Sequence, residues 1–184
     1  LDKFQLQEHS VDLRIGFTFM IPKTWILTPE GRRALKVDYG ENKQYFDVVE
    51  LEPGQYFEIL PGEFIGIASL ERVTIPPGLM GVLYPRSSIN RRGLSVDLSG
   101  VIDAGFSGNL LVPVRNSTLS QTIQIYPGER FCQIVFEELK GPVQRVSRYQ
   151  NKDVIVGVLK EKNSTEERLI RHGKIRQLKS KFPL

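Results

Sequence analysis

The 184-residue sequence has little of the chemistry that crosslinks chains or holds metals. It has one cysteine, Cys132, which excludes an intramolecular disulfide framework and a cysteine-clustered zinc site alike. Two histidines, His9 and His172, are too few for a multi-histidine metal centre. No apolar run approaches the ~20 residues that cross a bilayer, so a membrane partner is not expected. No signal-peptide pattern opens the sequence, which starts at Leu1, and a reducing, cytoplasmic setting is the expectation. What is present suffices for folding: with 40% hydrophobic residues, a chain of this length buries a core without staples.

Charge is unevenly placed. Residues 140–184 hold 12 Lys/Arg against 4 Asp/Glu, a net +8, whereas residues 1–139 hold 13 against 17, a net −4. A basic tail attracts polyanions, but a solvated basic helix explains it equally well, and nucleic acid is not expected as a partner.

Four Pro-Gly pairs punctuate the chain, at 53–54, 61–62, 77–78 and 127–128. Proline presets the first turn position and glycine permits positive φ at the second. Between the pairs lie short β-branched and aromatic segments at 56–59, 64–68, 81–84 and 123–125. Closely spaced short strands with turn chemistry predict an all-β barrel or sandwich. Few helices are expected: a turn over 29–34, another over 87–92, and a C-terminal helix. That last helix has Ser164 and Glu167 in a capping-box pattern and Gly173 as a weak point. The expected organisation is a β domain over 1–143 and a basic extension over 144–184, helical near its end.

The densest cluster of chemistry is Tyr84-Pro-Arg-Ser-Ser-Ile-Asn-Arg-Arg-Gly93. Arg86, Ser87 and Ser88 follow a strand-ending proline, and Arg91 lies within a turn. A guanidinium and two hydroxyls there suit a phosphate, and a capped polar loop is the plain alternative. A second cluster, Gly100-Val-Ile-Asp-Ala-Gly-Phe-Ser-Gly-Asn109, sets Asp103 among apolar residues and glycines. A planar base could approach the backbone there, with Phe106 against a sugar. A carboxylate beside such a pocket can orient or deprotonate water, although an ordinary hairpin aspartate fits equally. Asp12 in Ser10-Val-Asp-Leu-Arg14, and Arg130 and Gln133 in Gly128-Glu-Arg-Phe-Cys-Gln133, complete the candidates.

In this order the strings resemble the deoxyuridine triphosphatase (dUTPase) and dCTP deaminase superfamily, from about Gln5 to Pro142. The four motifs are His9–Gly16, Pro85–Ser88, Gly100–Asn109 and Pro127–Gln133. The resemblance implies a distorted jelly-roll β-barrel, a homotrimer with active sites between subunits, and a deoxynucleotide triphosphate substrate. In the deaminase branch a glutamate shuttles protons. The matching position here is Pro113, and no other acid falls between Asn109 and Tyr126. Ala104 also stands where the branch usually has proline.

A dUTPase needs no such glutamate. The resemblance then implies dUTP diphosphatase activity with Mg2+, which lowers dUTP and supplies dUMP for thymidylate synthesis. Asp103 would orient and activate water, and Arg86 and Ser87 would hold phosphates with Ser88 and Gln133 in support; Arg91 would contact the triphosphate, a neighbouring subunit, or both, and Arg130 would join the substrate-binding residues. Leu98, Gly100 and Ile102 would read the uracil edge through their backbone, Phe106 would pack on deoxyribose, and Asp12 would hold the metal through water. The alternatives are a dCTP deaminase, a bifunctional deaminase-diphosphatase, and a catalytically weak regulatory nucleotide binder. The glycine-rich fifth motif that closes over the phosphates in dUTPases has no match. The segment 149–157 resembles the deaminase-branch tail in placement, with Lys152 or Arg148 as candidates for the closing charge.

Overall fold

The computed structural model describes residues 1–37, 45–97, 100–141, 149–152 and 164–183. The chain divides into two compact units. One joins Leu1–Pro22 to Asp47–Ile155, and the other joins Lys23–Phe46 to Val156–Leu184.

The first unit is the expected distorted jelly roll. Its main sheet runs β8(Leu94–Val96), β10(Ser107–Asn116), β6(Phe64–Thr74), β1(Val11–Pro22), β12(Arg130–Glu138), β7(Leu79–Pro85) and β9(Gly100–Ile102), with β4(Phe46–Glu50) also paired to β1. A short pair, β5(Phe57–Ile59) with β11(Ile123–Ile125), stands apart from it.

Strand β1 curls the sheet because it changes partner midway. Val11 to Arg14 pair with β12, and Ile15 to Met20 pair with β6, with irregular register at each stage. Gly16 sits at that irregularity, where a Cβ would lie 2.7 Å from the Ala68 carbonyl oxygen. The concave side is filled by Leu13, Ile15, Phe19, Ile67, Val112, Phe131 and Ile134, among others, and the Phe19 and Phe57 rings stack at 4.7 Å. Cys132 lies fully inside this core, and burial pushes its thiol pKa up, with Glu71 and Asp12 adding to the effect.

The Pro-Gly turns form as their residues dictate. In three of them glycine has positive φ and the backbone closes i to i+3: Gln55 N to Glu52 O, Glu63 N to Leu60 O, and Glu129 N to Tyr126 O. In each, the last residue's side chain also accepts a bond from the first residue's N–H. Pro77-Gly78 closes as well, from Leu79 N to Pro76 O, without positive φ.

Pro113 sits inside β10 without breaking the sheet. Its carbonyl accepts from Asp97 N at 3.1 Å, so its nitrogen also faces that side, beyond the end of β8, where no ladder bond is lost.

In the second unit, the turn expected over 29–34 is instead part of a hairpin, β2(Trp25–Thr28) with β3(Gly31–Ala34). Gly31, at φ 107°, opens β3 directly after the two-residue loop, which leaves no room for a helical turn. The C-terminal helix is two helices, α2(Ser164–Arg171) and α3(Ile175–Lys181). Gly173 does more than weaken it. At φ 67° it forms a Schellman end, with Gly173 N bonded to Ile170 O and Lys174 N to Leu169 O.

Candidate active site

Strand β7 links the two densest motifs. At its C-terminal end Pro85 leads into α1(Ser87–Asn90), a single turn whose N-cap is Arg86. Ser87 and Ser88 are exposed, as is Arg91. No hydrogen bond is found for either serine hydroxyl among the described residues.

Arg86 is held. Its Nε lies 3.2 Å from Asp12 Oδ2, and its Nη1 reaches the Arg130 carbonyl at 3.4 Å. Arg130 Nη1 lies 3.1 Å from the same Asp12 Oδ2 and also donates to the Phe4 carbonyl. The Asp12 side chain is 2% exposed, and those of Arg86 and Arg130 are about a quarter exposed.

This cluster follows from strand register. Asp12 stands opposite Gln133, and Gln133 opposite Tyr84, so the three share one face of the sheet. The N-terminal residues cover Asp12 from that side. Asp12 N donates to Gln5 O, and Gln5 Nε2 donates to Asp12 O and to Glu71 Oε1. Glu71 Oε2 in turn accepts from Arg14 N. Gln133 accepts from the Ser10 hydroxyl at 2.8 Å and borders a groove of about 770 Å³ with His9, Tyr84, Pro85 and Val135.

At the other end of β7, β9 pairs back with Ile102 opposite Gly81. Asp103 follows at once. It is exposed and begins a tight turn, with Phe106 N bonded to Asp103 O and Gly105 at φ 77°. This is the Pro-Gly turn geometry again, with Ala104 in the proline position. Arg86 lies five residues beyond Gly81, about 17 Å along the strand, so within one chain Asp103 and Arg86 stand at opposite ends of β7.

Two of the expected site residues are placed inward. Phe106 is 7% exposed and packs in the core, with Gly108 under its ring. Asp12 Oδ2 is occupied by two guanidiniums. Among the described residues no group of three metal-ligating side chains is found, and Mg2+ commonly takes most of its ligands from phosphate oxygens and water. The Ile102 side chain is also in the core, while Gly100 is half-buried. Leu98 lies outside the described residues, as do Arg148 and residues 153–157.

The described part of the tail docks on β10 where β8 does not reach. Gln150 Oε1 accepts from Ser107 N, Asn151 N donates to Ser107 O, and Arg72 donates to Asn151 Oδ1. Lys152 and Arg72 border a cavity of about 470 Å³ with Gly16, Thr18 and Asn109.

The jelly roll, with its motifs at the two ends of one strand, defines a member of the dUTPase and dCTP deaminase superfamily. The family model for dCTP deaminase-like proteins matches residues 1–139, and the chain belongs to that family. It is 36% identical over 149 residues to a dUMP-forming dCTP deaminase of Persephonella marina, covering 80% of this chain and 78% of the relative. To the enzyme of the same description from Dictyoglomus thermophilum it is 33% identical over 141 residues, covering 76% and 70%. The crystal structure of the Agrobacterium tumefaciens dCTP deaminase matches its fold with a TM-score of 0.54 at 23% identity, over 74% of this chain and 41% of that one.

Sequence reasoning missed Gln5, Ser10 and Glu71. Each acts through a contact far along the chain, 66 residues away for Gln5 with Glu71 and 123 for Ser10 with Gln133, and no local pattern marks such partners.

Proposed function

We propose that this protein hydrolyses dUTP to dUMP and diphosphate and does not deaminate dCTP. The observation that carries the reading is the pair Asp103 and Pro113: the water-activating carboxylate is present, and the deaminase proton shuttle is replaced by a residue without a titratable group. A dUMP-forming deaminase performs both a deamination and a diphosphate release, and this chain retains the residues for the second.

In this reading Asp103 accepts a proton from water as its oxygen bonds to the α-phosphorus. The bond from that phosphorus to the bridging oxygen breaks, and diphosphate leaves. Arg86 and Arg130, with Ser87, Ser88, Arg91 and Gln133, align the phosphates so that attack is in line. Backbone groups of Gly100 and Ile102 read the base edge. The 17 Å along β7 supports a site assembled from two copies, one supplying Asp103 and another supplying Arg86, as in the homotrimer that the family resemblance implies. Mg2+ is assigned no protein ligand.

The competing reading is deamination, which the relatives' names favour. Incubating the protein with dUTP and dCTP separately and resolving products by anion exchange decides between them. Conversion of dUTP to dUMP with dCTP untouched is expected. Ammonia released from dCTP would overturn the assignment.

A further inference from the structure

We infer that Asp12 is a positioning residue: its buried carboxylate yokes Arg86 and Arg130 into one two-pronged receptor for a polyphosphate. The inference deepens the proposed function, because it rests on reading the Arg86 end of β7 as the phosphate end.

The geometry carries it. One oxygen, Asp12 Oδ2, takes Arg86 Nε at 3.2 Å and Arg130 Nη1 at 3.1 Å, so these nitrogens lie within about 6 Å of each other. Two guanidiniums that close repel unless an anion lies between them. Asp12 is that anion, and it is almost inaccessible, fixed through its backbone by Gln5. Each arginine spends part of its donor fork inside the protein: Arg86 on Asp12 and the Arg130 carbonyl, Arg130 on Asp12 and the Phe4 carbonyl. No partner is found for Arg86 Nη2 or for Nε and Nη2 of Arg130 among the described residues, and both side chains are partly exposed. The cluster carries two positive charges against one negative. Its remaining donors suit a ligand with several phosphate oxygens, which guanidinium forks bind in pairs.

The sign of one substitution separates positioning from simple attraction. Asp12→Asn removes a negative charge beside the ligand, so attraction alone would tighten polyanion binding. Positioning requires the opposite, because the two arginines splay apart. The probe is inorganic tripolyphosphate, titrated by calorimetry in EDTA against the intact protein. We expect D12N to weaken binding about tenfold while near-ultraviolet circular dichroism is unchanged. In a cycle with Arg130→Gln, the double variant should lose little more than the worse single variant. Should D12N fail to fold, Arg130→Lys preserves charge but lacks the fork, and a comparable loss is expected. Tripolyphosphate binding by D12N, or by R130K in that event, equal to or tighter than wild type overturns the inference, as does no binding by the wild type. The hydrolase assignment fails separately: a wild type that binds tripolyphosphate but leaves dUTP intact sinks the hydrolase and keeps the yoke.

Discussion

The two ends of β7 are built in opposite ways. At the Arg86 end two arginines, Arg86 and Arg130, are tied inward by a buried carboxylate and two backbone carbonyls. At the Asp103 end a single tight turn presents an exposed carboxylate with no bond found to it among the described residues. The contrast fits the chemistry proposed for each end. Holding a polyanion demands cations fixed in advance, because their mutual repulsion must be offset before the ligand arrives. Activating water demands a carboxylate whose lone pairs stay unspent until substrate and water come together.

Substitutions at the two ends should therefore fail differently. The largest effect is expected from Asp103→Asn, which should lower kcat for dUTP by about 10²- to 10⁴-fold. Affinity for a non-hydrolysable dUTP analogue should stay within about threefold. Loss of analogue binding in parallel with turnover would mean that the two ends are not functionally separate. Next comes Gly105→Ala. A side chain at φ 77° costs about 1–2 kcal/mol, read as a lowered midpoint in urea unfolding, and kcat should fall while tripolyphosphate affinity holds.

Ala104→Pro should act in the other direction. Proline fits the first central position of this turn, as it does at Pro53, Pro61 and Pro127, and no backbone bond from Ala104 N is found among the described residues. A gain of about 0.4–1 kcal/mol is expected from thermal or urea unfolding. A loss would show that the packing around Ala104 depends on a smaller residue.

The smallest effect belongs to the other end. Asp2 pairs with Arg14 at 2.7 Å, and that bond holds the Asp2 carboxyl below the usual carboxylate range. A carboxylate with a lowered folded-state pKa stabilises above its unfolded value, near 3.8, and loses that contribution as pH falls through the folded one. Asp2→Asn should therefore reduce stability slightly at neutral pH, and the difference from wild type should vanish as the pH falls through the lowered folded-state value. A difference that persists in acid would assign the effect to packing.

The asymmetry also explains what could be read from the sequence. The jelly roll was legible because its punctuation is local: Pro-Gly pairs need only neighbouring residues to close. The motifs were legible for the same reason, each being a short string. The meaning of Asp12 was not. Its partners stand 74 and 118 positions away, and only the pairing of β1 with β12 and of β12 with β7 brings them together. Phe106 reads as a ligand-facing ring in a glycine-rich loop, yet the tight turn at Gly105 sends it inward. The hairpin at 25–34 was hidden by a proline that also suits a helical turn, and Gly173 was legible as a weak point but not as a full break, because the hydrophobic pattern continues across it.

Cys132 has a practical consequence. It stands between Asp12's strand and Arg86's strand, in the centre of the core, with its thiol both inaccessible and held protonated. Modification by a thiol reagent thus requires the barrel to part at β12. The protein carries a built-in clock for its own opening: under native conditions the labelling rate reports how often the strands on either side of β12 separate, and a polyphosphate bound as proposed should slow that clock.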